Sequence, residues 1–148
     1  MPPFESVNAI LDFAIGEERQ AQAFYRDLAG RADSPALRQV LEDFALEEKG
    51  HEQELLSVKR GERLLIPREK VADLHIADYV VDVEPSPSLS HQDALILAMK
   101  KEKAAFKLYT DLAAATDNPT LKQSLLALAQ EEAKHKLRFE IEYDNLLE

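Results

Sequence analysis

"EEKGH" occupies residues 47–51, and "EEAKH" returns 84 positions later at residues 131–135. Either stretch alone reads as a charged helical turn closing on a histidine. The chain has only four histidines, yet two of them, His51 and His135, follow a glutamate by three residues. Sliding the whole chain by 84 residues shows why. The 38 residues from Ala14 to His51 align without a gap on Ala98–His135, with 16 identities. Half of these are small or apolar (Ala14, Ala21, Leu28, Ala29, Pro35, Leu37, Leu41 and Ala45), as a repeated core face requires. The others include Glu18 with Glu102, Tyr25 with Tyr109, Glu47 with Glu131, Glu48 with Glu132, and His51 with His135. Core packing does not explain why glutamate and histidine keep this register while Gly16 against Lys100 and Gln22 against Phe106 have diverged.

Apolar residues at helical spacing mark four long segments. The first runs from about Ser6 to Arg31. The second opens at "DSPAL", where Asp33 or Ser34 can cap the helix and Pro35 suits its first turn, and Gly61 is the expected stop. The third opens at "SHQD", where Ser90 and Asp93 read as a capping box, and runs to about Ala115. The fourth starts with Asn118 as cap and Pro119 behind it, and continues nearly to Glu148. Short connections make each successive pair an antiparallel hairpin. Between the pairs lie about 30 residues in which Pro67, Pro85 and Pro87 prevent one continuous helix, while Tyr79, Val80 and Val81 suggest packing on the bundle surface. The expectation is an all-α protein with one domain over residues 1–148: hairpin 5–60, crossover 61–89, hairpin 90–147. Two hairpins and one long crossover make a four-helix bundle of ferritin-like connectivity.

Residues three apart on a helix lie about 60° apart around the axis and about 4.5 Å along it. Glu48 and His51 can therefore converge on one metal ion, as can Glu132 and His135. Glu18 and Glu102 each sit 30 residues before their hairpin's Glu-x-x-His glutamate, which returns the neighbouring helix to roughly the same height. The set is thus one glutamate from each of two helices and Glu-x-x-His from each of the other two, the inward-facing arrangement of the di-iron and di-manganese carboxylate bundles. Mixed carboxylate and imidazole ligation suits iron or manganese. Buried carboxylates cost several kcal/mol each unless neutralised, and two divalent cations would balance four of them. Tyr25 and Tyr109 follow Glu18 and Glu102 by seven residues, nearly on the same face, and could hydrogen-bond a ligand carboxylate or pack as plain core.

Other titratable residues read as solvated. His75, in the crossover, and His91, after the third helix's cap, match nothing in the repeat; Glu54 has Arg138 as its counterpart. Glu47 and Glu131 could orient a histidine or simply face water. A single Glu-x-x-His in an acidic helical chain is more often a solvated face, so the metal reading stands on the doubled pattern.

The chain has no cysteine, which excludes disulfides, a thiolate zinc site and a rubredoxin-type iron centre within it. A net charge of −10 disfavours nucleic acid, whose phosphates need a basic face. The N-terminal "MPPFESVNAI" has neither the basic start nor the apolar run of a signal peptide, so a cytoplasmic protein is expected, with no membrane partner.

"GEERQAQAFYRDLA" (16–29) and "KKEKAAFKLYTDLA" (100–113), with "EEKGH" and "EEAKH", resemble the first, third and Glu-x-x-His helices of the rubrerythrin-like branch of the ferritin-like superfamily. The resemblance covers about residues 5–147. It implies that Glu18, Glu48, His51, Glu102, Glu132 and His135 ligate two irons, Glu48 and Glu132 bridging, and that the pair reduces hydrogen peroxide. Manganese or a mixed pair fits the same donors. Rubrerythrins proper carry a rubredoxin domain, so the cysteine-free chain implies an external electron-donor protein. They also have a further glutamate where Ala105 stands. The remaining symmetric set is similar to the ferroxidase centre of bacterioferritin, but Lys49 occupies the place of its haem-binding methionine, so no haem is expected. The resemblance implies a homo-oligomer and a redox enzyme acting on peroxide or dioxygen. Iron oxidation for storage or detoxification is the alternative, and a metal-free helical scaffold binding a protein partner is a third reading.

Overall fold

The computed structural model describes residues 4–81 and 89–146. Four long helices dominate it: α1 (Val7–Arg31), α2 (Pro35–Arg60), α4 (His91–Ala115) and α5 (Pro119–Leu146), with a one-turn α3 (Arg68–Val71) and a 3₁₀ turn (Ile76–Asp78) in the crossover. Side-chain caps fix where they start. The Ser6, Ser34 and Ser90 hydroxyls accept from the amides of Ala9, Leu37 and Asp93, each at 3.1 Å. Asn118 Oδ1 accepts from both Thr120 and Leu121 at 3.1 Å. Each bond satisfies an amide that the helix itself leaves without a partner. Asp33 does not cap α2; Ser34 does.

α2 ends at Gly61 as expected, but the left-handed turn of the ending falls one residue later. Gly61 keeps a right-handed backbone (φ −85°), and the next residue, Glu62, takes the left-handed conformation (φ 51°). The amide of Arg63 returns to the Val58 carbonyl at 3.1 Å and that of Glu62 to Lys59 at 3.2 Å. These two bonds define a Schellman ending with glutamate in the position that glycine usually takes.

α1 packs on α2 and α4 on α5, as two hairpins. Along every long helix the buried residues change character in the same order of height. On α1, Ile10, Leu11 and Ala14 belong to one apolar cluster and Phe24, Tyr25 and Leu28 to another; Glu18 lies between them. On α2, Glu48 and His51 lie between Ala45 and Leu55; on α4, Glu102 lies between Ala98 and Leu108; on α5, Glu132 and His135 lie between Ala129 and Phe139. The bundle therefore has two apolar cores separated by a polar layer.

The described part of the crossover is pinned to the bundle. Leu65's carbonyl accepts from the Asp117 amide at 2.8 Å and the Thr116 hydroxyl at 3.1 Å. Tyr79 is buried, stacks on Phe4 and donates to Asp111 at 2.8 Å. Pro67 caps the short α3, which the sequence pattern did not anticipate; Pro85 and Pro87 lie outside the described residues. No helix among the described residues is long and apolar enough to cross a membrane.

Candidate metal centre

All six residues singled out by the repeat meet in the polar layer, each no more than 4% exposed. They form two overlapping donor groups. Glu18, Glu48, His51 and Glu132 make one, and Glu48, Glu102, Glu132 and His135 the other, with one donor atom per residue mutually within 4.8 Å. Glu48 and Glu132 belong to both. Both imidazoles present Nδ1 to the layer. His51 Nδ1 is 2.8 Å from Glu132, 3.6 Å from Glu48 and 3.7 Å from Glu18. His135 Nδ1 is 2.8 Å from Glu48 and 3.5 Å from Glu102. The carboxylate nearest each inward-facing Nδ1 is thus the Glu-x-x-His glutamate of the opposite hairpin.

The tyrosines cross in the same way. Tyr25 donates its hydroxyl hydrogen bond to Glu102, and Tyr109 to Glu18. Seven residues span about 10.5 Å of helix, too far for either tyrosine to reach its own helix's glutamate. An antiparallel α1 and α4 bring each to the other's. Both rings are almost fully buried, and Tyr25 also packs on Phe139 at 5.3 Å between centroids. Phe44 stacks on the His135 ring at 4.0 Å.

Two residues that the sequence left open also belong here. The outward-facing Nε2 of His51 contacts Glu131, and that of His135 contacts Glu47. Their carboxylates are about half exposed and close the layer on the α2/α5 side. The signal was their recurrence in the repeat; what hid it was that each serves the histidine of the other copy. Glu54 is half-buried and outside both donor groups, His75 is exposed, and His91 is half-buried at the start of α4.

The electrostatics are those of crowded buried acids. Burial, then the adjacent Glu48, raises the Glu18 carboxyl well above its ordinary range. Burial, then the charges of Glu102, Glu48 and Glu18, does the same to Glu132. Burial would also raise Glu48, but hydrogen bonds with Glu18 and both histidines outweigh it and hold Glu48 below the usual range. Burial would lower the imidazoles, yet hydrogen bonds to Glu18 and Glu48 raise His51 to about 11, and those to Glu102 and Glu48 raise His135 to about 10. Burial, followed by the surrounding carboxylates, pushes both tyrosines well above 10.

Left to itself, then, the layer holds protons where charge would otherwise accumulate. Even so, Glu18 Oε2 and Glu102 Oε2 are buried without a well-formed hydrogen bond, and Glu48 Oε1 and His135 Nδ1 meet only each other, at 2.8 Å. Such atoms are rare in folded proteins and costly. Four carboxylates and two imidazoles, once they give up their protons, are the donor set of hard-to-borderline divalent cations.

The rubrerythrin family model matches residues 9–87 and 93–146. The chain belongs to the rubrerythrin family. No curated protein sequence matches it. Two solved structures share its architecture nearly end to end. One, from Thermotoga maritima, is described as a ferritin-like diiron-carboxylate protein; it is 19% identical, with a TM-score of 0.79 over 97% of this chain and 98% of that one. The other, a hypothetical protein from Pyrococcus furiosus, is 26% identical, with a TM-score of 0.74 over 99% of this chain and 97% of that one. The fold is therefore the ferritin-like helical bundle.

Proposed function

We propose that Glu18, Glu48, His51, Glu102, Glu132 and His135 hold two iron ions per chain, and that the centre reduces hydrogen peroxide or dioxygen with electrons from an external donor protein. The observation that carries this reading is the pair of overlapping donor groups, which share Glu48 and Glu132. Family membership and the buried carboxylate oxygens without partners support it. Glu48 and Glu132 would bridge, with Glu18 and His51 on one side and Glu102 and His135 on the other. Manganese fits the same donors.

A bound iron pair would supply two electrons per turnover and Lewis acidity. The net reaction with peroxide consumes two electrons and two protons and yields two waters. The protein's part is positional. The Tyr25 and Tyr109 hydroxyls hold Glu102 and Glu18 by one oxygen each. Glu131 and Glu47 hold the outer nitrogens of His51 and His135, which keeps Nδ1 turned inward. The two apolar cores exclude bulk water from the layer, which strengthens each of these contacts.

The test is bound metal per chain after anaerobic Fe(II) loading, for the wild type and for His51→Ala. Two irons in the wild type and fewer or weaker in the variant are expected, followed by peroxide-dependent oxidation that a reductant reverses. Absence of iron and manganese from both proteins would overturn the reading and favour a metal-free scaffold. Oxidation of many Fe(II) per chain, with ferric product accumulating, would make iron the substrate and the protein a ferroxidase.

A further inference from the structure

The repeat exchanges the two apolar cores. Leu28, Leu41 and Ala45 of one core are Leu112, Leu125 and Ala129 of the other, and Tyr25 answers to Tyr109. Three equivalent pairs change character between the copies. Phe24, Phe44 and Phe139 belong to the core around Tyr25, whereas their counterparts Leu108, Leu128 and Leu55 belong to the core around Tyr109. One end of the polar layer therefore rests on aromatic rings and the other on leucines.

The difference reaches the donor histidines. The Phe44 ring stacks on the His135 ring, 4.0 Å between centroids and 24° from parallel, and Tyr25 meets the same imidazole edge-on at 6.3 Å. Phe44 is itself held, with Phe139 at 5.6 Å and Tyr25 at 6.3 Å, both in edge-to-face contact. The His135 ring is thus fixed by a flat face on one side and by Glu47 at its outer nitrogen. Turning an imidazole over exchanges Nδ1 for a carbon, so a ring that can turn spends part of its time with no donor facing the layer. His51 has the matching contact at its outer nitrogen, from Glu131. But the residue equivalent to Phe44 in the other copy is Leu128, which has no flat face to offer.

We propose that Phe44 is a positioning residue for His135 and makes the two halves of the centre unequal: a first divalent ion takes the Glu102 and His135 half, and a second takes the Glu18 and His51 half. The proposal rests on the two-metal reading of the layer. Fixing an imidazole in its bound orientation before the metal arrives removes a cost that binding otherwise bears. A residue that orients a metal ligand tunes affinity in this way without touching the ion. A ring pair of this kind is worth about two- to ten-fold in an equilibrium constant. The shared carboxylates Glu48 and Glu132 and the crossed tyrosines are matched across the repeat, so they do not favour either half. Phe44 has no such match.

Cobalt(II) is a suitable probe because its anomalous X-ray scattering reads each position separately and needs no turnover. In crystals of the wild type carrying one Co(II) per chain, the Glu102 and His135 position should be about two- to ten-fold more occupied than the Glu18 and His51 position. Phe44→Leu, which installs the residue that the other copy already has, should bring this ratio close to one. It should also weaken the first Co(II) by the same factor in competition with a chelator. Phe44→Tyr, which keeps the ring, should restore the preference. Equal filling in the wild type overturns the proposal whether or not the variants fold. So does an unequal filling that Phe44→Leu leaves unchanged, and the two-metal reading survives either result. Failure of the wild type to bind any Co(II) would remove that reading, and this proposal with it.

Discussion

Removing metal should make folding stability fall as pH rises, while metal loading becomes more favourable over the same range. In the metal-free bundle His51 and His135 keep their protons up to about 11 and about 10, against an ordinary value of 6.5. A group that binds its proton more tightly when folded stabilises the fold fully below its unfolded pKa. That contribution is lost as pH rises through the folded pKa. For the two histidines the window is therefore pH 6.5 to about 10–11. Glu18 and Glu132, also raised, act with the same sign from 4.5 upward. Glu48, held low, acts oppositely, and its contribution is lost only on acidification below 4.5. Each proton held by the folded state alone gives a slope of roughly 1.4 kcal/mol per pH unit, so the histidine pair gives about 3. Domains of this size have only on the order of 5–15 kcal/mol to lose. Urea unfolding followed by circular dichroism, on chelator-treated protein from pH 6.5 to 9.5, would measure the slope. His51→Gln should roughly halve it. A flat or rising stability across this window would refute the argument, because the imidazoles would then be neutral without metal. In the metal-loaded protein the sign reverses: ligation displaces protons from both histidines, Glu18 and Glu132, so metal affinity should climb with pH.

Tyr25→Phe and Tyr109→Phe should each strip a buried carboxylate of its donor and cost about 1–3 kcal/mol in the metal-free protein, measured by denaturant unfolding. Because the contacts cross, Tyr25→Phe should disturb the Glu102 and His135 half of the layer; imidazole NMR signals of His51 moving more than those of His135 would contradict this. Glu131→Ala should weaken metal binding about 10–100-fold by freeing the outer nitrogen of His51, and Glu131→Gln should recover part of the loss, as read by competition with a chelator. Glu62→Gly should raise stability by about 1 kcal/mol, since glycine adopts the left-handed backbone without a Cβ penalty; an unchanged denaturation midpoint would count against the Schellman ending.

The helices were legible because serine and asparagine caps announce themselves locally, and the six layer residues because a duplication wrote them twice. Ser34 rather than Asp33 caps α2, a choice between neighbours that depends on backbone geometry and not on residue type. Gly61 stops α2 as expected, but the left-handed residue comes one position later, at Glu62, where its cost is small enough for two returning hydrogen bonds to offset. The partners were harder to see than the members. Glu131 and Glu47 recur in the repeat, but nothing along either helix says that Glu131 belongs to His51 and Glu47 to His135. The same holds for Tyr25 with Glu102 and Tyr109 with Glu18. These pairings depend on how one hairpin docks on the other, which spacing within a single helix does not encode.

The crossing of these contacts bears on how the chain assembles. Each hairpin carries two layer glutamates, a histidine and a tyrosine, yet the nearest carboxylate to each histidine and the acceptor of each tyrosine lie on the other hairpin. Neither half can therefore satisfy its polar stripe by closing on itself, and a hairpin that forms early must keep that stripe wet. The layer is completed only when the second hairpin arrives, its partners lying 77 to 91 residues away in the chain. Docking is thus the step at which water leaves and the acids acquire their partners, so the same residues that make the site also enforce the correct pairing of the two halves.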